Sequence, residues 1–285
     1  MRSKTARMNP ARISPFRLTR KIVLRDNART GKKYYAALRG YQQRKDILEA
    51  MYRSLDEKKL GGLEPKIIDL GCGPGIVGHY FFKKFGKKRR PAITFVDINP
   101  LMLRAIRRRK NFRVLQQDVT DLKLKAGSFD VAVMKQVLDY LPKELQLKTL
   151  KNACRVLRRG GQFVISALVQ PPNAAIGLTN YLYSEREKTL NPNAPVQKFI
   201  PNRETLIRWL SMAGFKEIEV KYAYGIPLSV KDFVGSFGLN QQQKNRLVEI
   251  YKKIIQNDRS NAFKAKTKKG DIELVERGII ISCSK

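Results

Sequence analysis

Three carboxylates and a cluster of glycines stand where a ligand carrying positive charge could be held. Asp69 opens the run Asp69-Leu70-Gly71-Cys72-Gly73-Pro74-Gly75, and Asp97 and Asp118 each follow a later apolar run. Glycines permit positive φ and let a ligand approach the backbone closely. Gly73, Gly75 and Gly78 also satisfy G-x-G-x-x-G, with Asp97 nineteen residues further on, so a dinucleotide site has to be weighed. Two features oppose it. Asp69 would repel a pyrophosphate but suits a ligand bearing an ammonium and a sulfonium, and Pro74 removes a backbone N–H that a phosphate would use. The Lys-Ser/Thr ending of a P-loop is absent. Cys72, Cys154 and Cys283 lie far apart and His79 is the single histidine, so no metal site is expected and the thiols suit a reducing compartment.

These side chains need strand ends and helix starts to hold them. Short apolar runs alternate with amphipathic stretches, the signature of a parallel sheet covered on both faces. Strands are expected at Lys66–Leu70, Ala92–Val96, Arg113–Gln117, Val131–Lys135, Gln162–Ala167, Lys216–Tyr222 and Gly278–Ser282. Helices are expected at about Ile76–Phe85, Pro100–Arg109, Lys143–Leu157 and Arg203–Ala213, with His79 packed in the first and Trp209 and Phe215 in the core. Tyr34–Leu55 reads as a further helix, because Tyr34, Leu38, Tyr41, Ile47, Leu48, Met51 and Leu55 recur mostly at three- and four-residue steps. Gln170–Pro201 and Ala223–Arg277 break the rhythm. Within the second, Ser229-Val230-Lys231-Asp232 resembles a capping box, and Asn240 opens a helix striped by Leu247, Val248, Tyr251, Ile254 and Ile255. Ligands of open α/β sheets sit at the carboxyl ends of strands, where Asp69 and Asp97 fall.

Asp69-x-Gly71-x-Gly73-x-Gly75 resembles motif I of the class I S-adenosylmethionine-dependent methyltransferases, and four more segments follow in register. They are Phe95-Val96-Asp97-Ile98, Leu115-Gln116-Gln117-Asp118-Val119, Phe129-Asp130-Val131 through Leu138-Asp139-Tyr140-Leu141, and Arg155 through Ile165, with Arg159 where proline is usual. The resemblance covers about Ile67–Ser166 and has the look of the type 11 group, which includes quinone and natural-product methyltransferases. It implies a doubly wound α/β fold: a seven-stranded, mostly parallel sheet with helical insertions after strands 5 and 6. It implies S-adenosylmethionine as cofactor, cradled by Asp69, Gly71, Cys72, Gly73 and Gly75. Asp97 and Ile98 would then reach the ribose, Asp118 and Val119 the adenine, and Lys135 and Gln136 the methionine end. On this reading residues 34–285 form the methyltransferase domain, with lid insertions at about 170–201 and 223–277, behind a basic arm at 1–33.

Methyl transfer from a sulfonium is an in-line displacement for which the protein supplies proximity, alignment and sometimes a base. No catalytic residue is singled out; Asp139, Tyr140 and Tyr181 are the candidate bases. Val133-Met134-Lys135-Gln136-Val137 lacks the Asn/Asp-Pro-Pro-aromatic stretch of amino-directed nucleic-acid methyltransferases, and no Pro-Cys pair for cytosine C5 chemistry is present there. The insertions offer Asn173, Asn180, Tyr181, Tyr183, Tyr222, Tyr224, Phe233 and Phe237, which either enclose a planar or apolar acceptor or only pack the insertions onto the sheet. A small or medium organic acceptor is the first expectation. An RNA- or ribosome-associated methyltransferase is the alternative, and a non-catalytic RNA- or assembly-binding protein is the third.

Charge bears on partners. The chain has 58 Lys+Arg against 24 Asp+Glu, a net +34, which attracts RNA, ribosomes or acidic membranes, or is the solvated surface of a basic proteome. Lys83, Lys84, Lys87, Lys88, Arg89 and Arg90 form one dense cluster, and Arg107, Arg108, Arg109, Lys110 and Arg113 another; both lead from a helix into a strand, away from the glycine loop. Residues 1–33 hold a single acid, Asp26, and read as a flexible tail, an RNA-contacting arm or an Arg-rich transit peptide. A cytoplasmic location is expected, with a mitochondrial one as alternative. No apolar run approaches the roughly 20 residues of a membrane span.

Overall fold

The computed structural model describes residues 44–60, 62, 64–86, 89–172, 174, 177–190, 192, 198–235 and 239–285. The basic arm, the Tyr34–Tyr41 part of the expected first helix, Lys87, Lys88, Asn173 and Phe237 lie outside the described residues. In chain order the elements are α1 (Lys45–Arg53), β1 (Lys66–Leu70), α2 (Ile76–Phe85), β2 (Ala92–Asp97), α3 (Pro100–Arg104), β3 (Phe112–Gln116), β4 (Phe129–Lys135), α4 (Lys143–Val156) and β5 (Leu157–Val169). There follow α5 (Leu178–Leu190), α6 (Arg203–Met212), β6 (Lys216–Ser229), α7 (Val230–Gly235), α8 (Gln241–Asn257), β7 (Lys266–Lys268) and β8 (Asp271–Ser284).

The sheet order is β3-β2-β1-β4-β5-β8-β6. Strands β1 to β5 are parallel, and β8 runs antiparallel between β5 and β6. The short β7 joins the seven expected strands by pairing with the start of β8. Alternation along each strand feeds two cores. Ile68 and Leu70 face Leu150 of α4 and Leu206 and Leu210 of α6, whereas Ile67 faces Met51 of α1 and Phe81 of α2. A third cluster joins Leu182, Val230, Val234, Leu247, Tyr251 and Ile254 into a separate helical unit, closed by Leu274 of β8.

Two expectations need correction. Helix α3 stops at Arg104 rather than Arg109, with Ala105 as its C-cap. Cations at 104, 107 and 108 would repel one another at helical spacing, and the chain leaves the helix before they can. Strands β6 and β8 are also longer than expected, because Ala223–Ser229 stays paired with Glu273–Ile279. The charges of Glu273, Glu276 and Arg277 interrupt the apolar alternation there. The insertion after β6 therefore sits on a two-stranded extension of the sheet. Its caps follow expectation in part: Asn240 and Gln243 form a full capping box. At α7 Ser229 Oγ accepts from Asp232 N, but Asp271 of β8, not Asp232, completes the terminus by accepting from Lys231 N.

Asp130 fixes the start of the central strands. Its carboxylate accepts from Lys66 N at 2.7 Å and from Arg158 Nε at 2.6 Å, tying β4 to both neighbours. Replacing it with Ala leaves the Lys66 amide without that acceptor and should cost about 1–3 kcal/mol in denaturant unfolding, with Asp130→Asn losing less.

Candidate active site

The glycine loop is shaped by what stands behind it. Gly71 has φ +65°, and a Cβ there would lie 2.5 Å from Val137 Cγ2 on the segment after β4. Gly78, in the first turn of α2, lets Phe95 approach so closely that a Cβ would meet its ring at 2.4 Å. The loop is pinned to β2 by Cys72 N donating to Val96 O at 2.9 Å. His79 packs as expected: Nδ1 donates to Gly75 O at 2.6 Å, and its ring lies against Phe95 and Phe112.

Two carboxylates from β1 and β2 hold this turn and the helix after it. Asp69, 1% exposed at the end of β1, accepts from Gly78 N at 2.8 Å. Burial pushes its pKa up to about 7; the Gly78 N–H opposes that rise and the nearby charge of Asp97 adds to it. Asp97 accepts from Gly73 N and Asn99 N, each at 2.8 Å, and burial raises its pKa as well. Asp118 is half-buried and accepts from Thr120 N at 2.8 Å, beside buried Val119. Ile98 O accepts from Gln116 Nε2, which ties the end of β2 to β3.

The end of β4 supplies the other wall. Lys135 has its pKa lowered to about 8, chiefly by burial, while Asp139 and Asp69 act to raise it. Gln136 takes φ +53°, rare for a side-chain-bearing residue, and its N–H donates to Ser166 O at 2.7 Å. Asp139 is buried in the 3-10 turn Leu138–Tyr140; burial lifts its pKa to about 6, and its Oδ1 has no hydrogen-bond partner. Lys135 and Lys198 are the cations that act on it. The Lys198 ammonium also lies 4.6 Å from the Tyr140 ring. Tyr181 is 48% exposed, in contrast to buried Asp139.

Several residues offered as acceptor contacts are engaged in packing. Asn180 exchanges hydrogen bonds with the backbone of Ile200, and Tyr224, 4% exposed, has its hydroxyl 2.7 Å from Ser166 Oγ. Trp209 and Phe215 are core, as expected. Sequence reading missed the buried pair Arg186–Glu276 at 3.0 Å, with the guanidinium 4.3 Å from the Phe233 ring and 4.6 Å from that of Tyr183. It also missed Lys198–Glu187 at 2.7 Å. Arg186 and Glu276 are ninety residues apart, and no local pattern announces such a pair.

Among the described residues no group of His, Cys, Asp and Glu could hold a metal, and no helix is long and apolar enough to cross a membrane. Residues 67–161 match the family model described as "Methyltransferase domain". The 2-methyl-6-phytyl-1,4-hydroquinone methyltransferase 2 of Oryza sativa subsp. japonica, chloroplastic by name, is 24% identical over 171 residues, which is 59% of this chain and 44% of that protein. The chain thus matches less than half the length of this curated relative. The YcgJ protein of Bacillus subtilis has a TM-score of 0.61 at 14% identity, covering 84% of this chain and 97% of that one. Phosphoethanolamine N-methyltransferase 2 of Haemonchus contortus, solved with S-adenosyl-L-methionine, has a TM-score of 0.58 at 15% identity, covering 94% and 60%. Residues 67–161 thus carry the likeness to a methyltransferase domain, and the likeness to the solved structures extends the shared fold beyond them.

Proposed function

We propose that the protein transfers a methyl group from S-adenosylmethionine to a small or medium organic acceptor, held between the carboxyl ends of the strands and the helical unit. The observation that carries this reading is the pair of carboxylates, Asp69 near the end of β1 and Asp97 at the end of β2, both buried and tied by backbone N–H groups to the glycine loop and the helix after it. Two buried carboxylates that act on each other, with Lys135 as a nearby cation, favour a ligand that brings further positive charge. On this reading Asp69 meets the ammonium of the cofactor and Asp97 and Ile98 the ribose. Asp118 and Val119 hold the adenine, and Gly71, Cys72, Gly73 and Gly75 line the approach. Lys135 and Gln136 border the methionine end.

The rice relative is named for an aromatic hydroquinone with a phytyl tail, which supports an apolar acceptor for this chain also. The helices between β5 and α6 and between β6 and β8 serve as the lid. The three cysteines are free and buried, which fits a cytoplasmic protein, although the rice relative is chloroplastic by name.

Three outcomes test this. Asp97→Ala should weaken S-adenosylmethionine binding by calorimetry about 10–100-fold, the worth of one or two hydrogen bonds to a charged group, and Asp97→Asn, which keeps an acceptor for part of the Gly73 and Asn99 N–H pair, should weaken it with a smaller loss of thermal stability. Equal affinity would remove Asp97 from the site. The pH dependence has a definite sign. Free protein holds a proton on Asp69 up to about pH 7, so fold stability from this group is greatest below the ordinary carboxylate range and is lost as pH rises through 7. Binding a cation at Asp69 must expel that proton, so affinity should rise about tenfold between about pH 6 and pH 8, and Asp69→Asn should flatten the slope, leaving only the part due to Lys135. Affinity that stays level across this range in the wild type would overturn the role of Asp69. Finally, labelled methyl offered with fractionated extract should enter the small-molecule or lipid fraction; label removed by ribonuclease would make RNA the acceptor.

A further inference from the structure

We propose that the edge of the sheet built from the starts of β2 and β3 and the ends of α2 and α3 is a docking surface for the phosphate backbone of a duplex nucleic acid. Between positions 83 and 113 the sequence holds twelve Lys and Arg, seven of them Arg, and a single acid, Asp97. That acid is buried and bonded to the glycine loop at the opposite end of β2, so no carboxylate of this segment offsets the cations.

The fold brings the two halves of the segment together. Phe82 of α2 and Phe112 of β3 meet edge to face at 4.9 Å, and the Arg109 guanidinium lies 5.5 Å from one ring and 5.9 Å from the other. Ile93 N donates to Asn111 O at 2.9 Å, fixing the chain before β3 beside the start of β2. Around this hinge of aromatic rings Lys83, Arg90, Arg107, Arg108, Lys110 and Arg113 are exposed. None of the six forms an ion pair among the described residues. Lys84 and Arg89, by contrast, are turned to Glu49 and Glu57.

Helix termini explain only part of this. Lys83 and Lys84 close α2 and Arg104 closes α3, where cations suit the helix dipole. Arg90, Arg107, Arg108, Lys110 and Arg113 lie beyond either helix and gain nothing from it. The choice of arginine favours phosphate, which its planar fork binds by two parallel hydrogen bonds. An acidic bilayer is the poorer partner. The exposed large apolar side chains among the described residues are Leu101, Tyr181, Met212 and Tyr222, and none belongs to the cationic edge. Cations spread over two short connections suit phosphates, whose contacts position a protein without reading bases, so the recognition expected is of the backbone. Because it lies at the amino end of β2 and β3, docking leaves the Asp69–Asp97 end free. The proposal does not depend on the identity of the methyl acceptor.

The test uses the full chain and a fluorescent RNA duplex of roughly 20 base pairs, with a DNA duplex of the same sequence beside it. Anisotropy is read between about 50 and 200 mM salt. Both duplexes should bind, with affinity falling steeply as salt rises. The triple variant R107E/R108E/K110E should bind at least tenfold more weakly, with a log–log salt slope shallower by about three. The Gln versions of the same residues should move in the same direction by less, which separates lost contacts from a damaged fold, as does an unchanged affinity for S-adenosylmethionine. The control K252E/K253E/K268E changes charge equally on the helical unit. If it weakens binding as much as the edge variant does, the attraction is diffuse and the proposal falls. It falls equally if neither duplex binds, or if only vesicles of phosphatidylcholine and phosphatidylglycerol are captured.

Discussion

Two carboxylates buried on neighbouring strands beneath one glycine loop, each answered by backbone N–H groups, set the terms for the rest of the molecule. Taking a carboxylate out of water costs several kcal/mol unless its oxygens are satisfied. Asp69 meets that cost with Gly78 N at the start of α2, and Asp97 with Gly73 N and Asn99 N. All of these partners must arrive from the correct direction at once. That requirement explains why Phe95 fills the space a Cβ would take at Gly78 and why Val137 does the same at Gly71. Strand ends, glycine loop and first helix form one electrostatic assembly, to which Lys135 of β4 adds a positive charge.

The helical unit depends on a second set of buried charges. Arg186 and Glu276 pair with side chains only 10% and 11% exposed, between α5 and β8, and Lys198 pairs with Glu187 nearby. Buried ion pairs add little net stability but penalise every arrangement that separates them. Here they fix how α5 sits against the extended strands. Asp139, at the end of the β4 segment, feels Lys198, Glu276 and Lys135 together. The polar residues of the helical unit and those of the strand ends therefore share one electrostatic environment, and a change in either is felt by the other.

Much of this was legible in the sequence where chemistry and periodicity coincide. The strands carrying Asp69 and Asp97 are short, mostly apolar runs that end near their carboxylates, and α2 begins where the glycines end. Asn240 announced its helix through a side-chain bond that any reader of caps could anticipate. The failures lie where charge overrode pattern. Arg107 to Arg109 continued an apparent helix that like-charge repulsion ends at Arg104, and Glu273, Glu276 and Arg277 disguised a strand. Tyr224 and Asn180 looked available for an acceptor but are spent on Ser166 and Ile200. Such pairings are tertiary, and single-chain spacing carries no trace of them.

The antiparallel position of β8 between β5 and β6 has a consequence for the order of assembly during synthesis. Strands β1 to β5 with α1 to α4 emerge first, and α6 must follow before Leu206 and Leu210 cover the face that carries Ile68 and Leu70. Strand β6 cannot join them, because its neighbour on the sheet is β8, the last of the eight strands to be made. Until then α7 and α8 have no extended ladder to rest on, and Arg186 has no Glu276 to meet. The Asp69–Asp97 end of the molecule is thus translated first and the helical unit is latched last, by one strand that serves as the closing stave of the sheet.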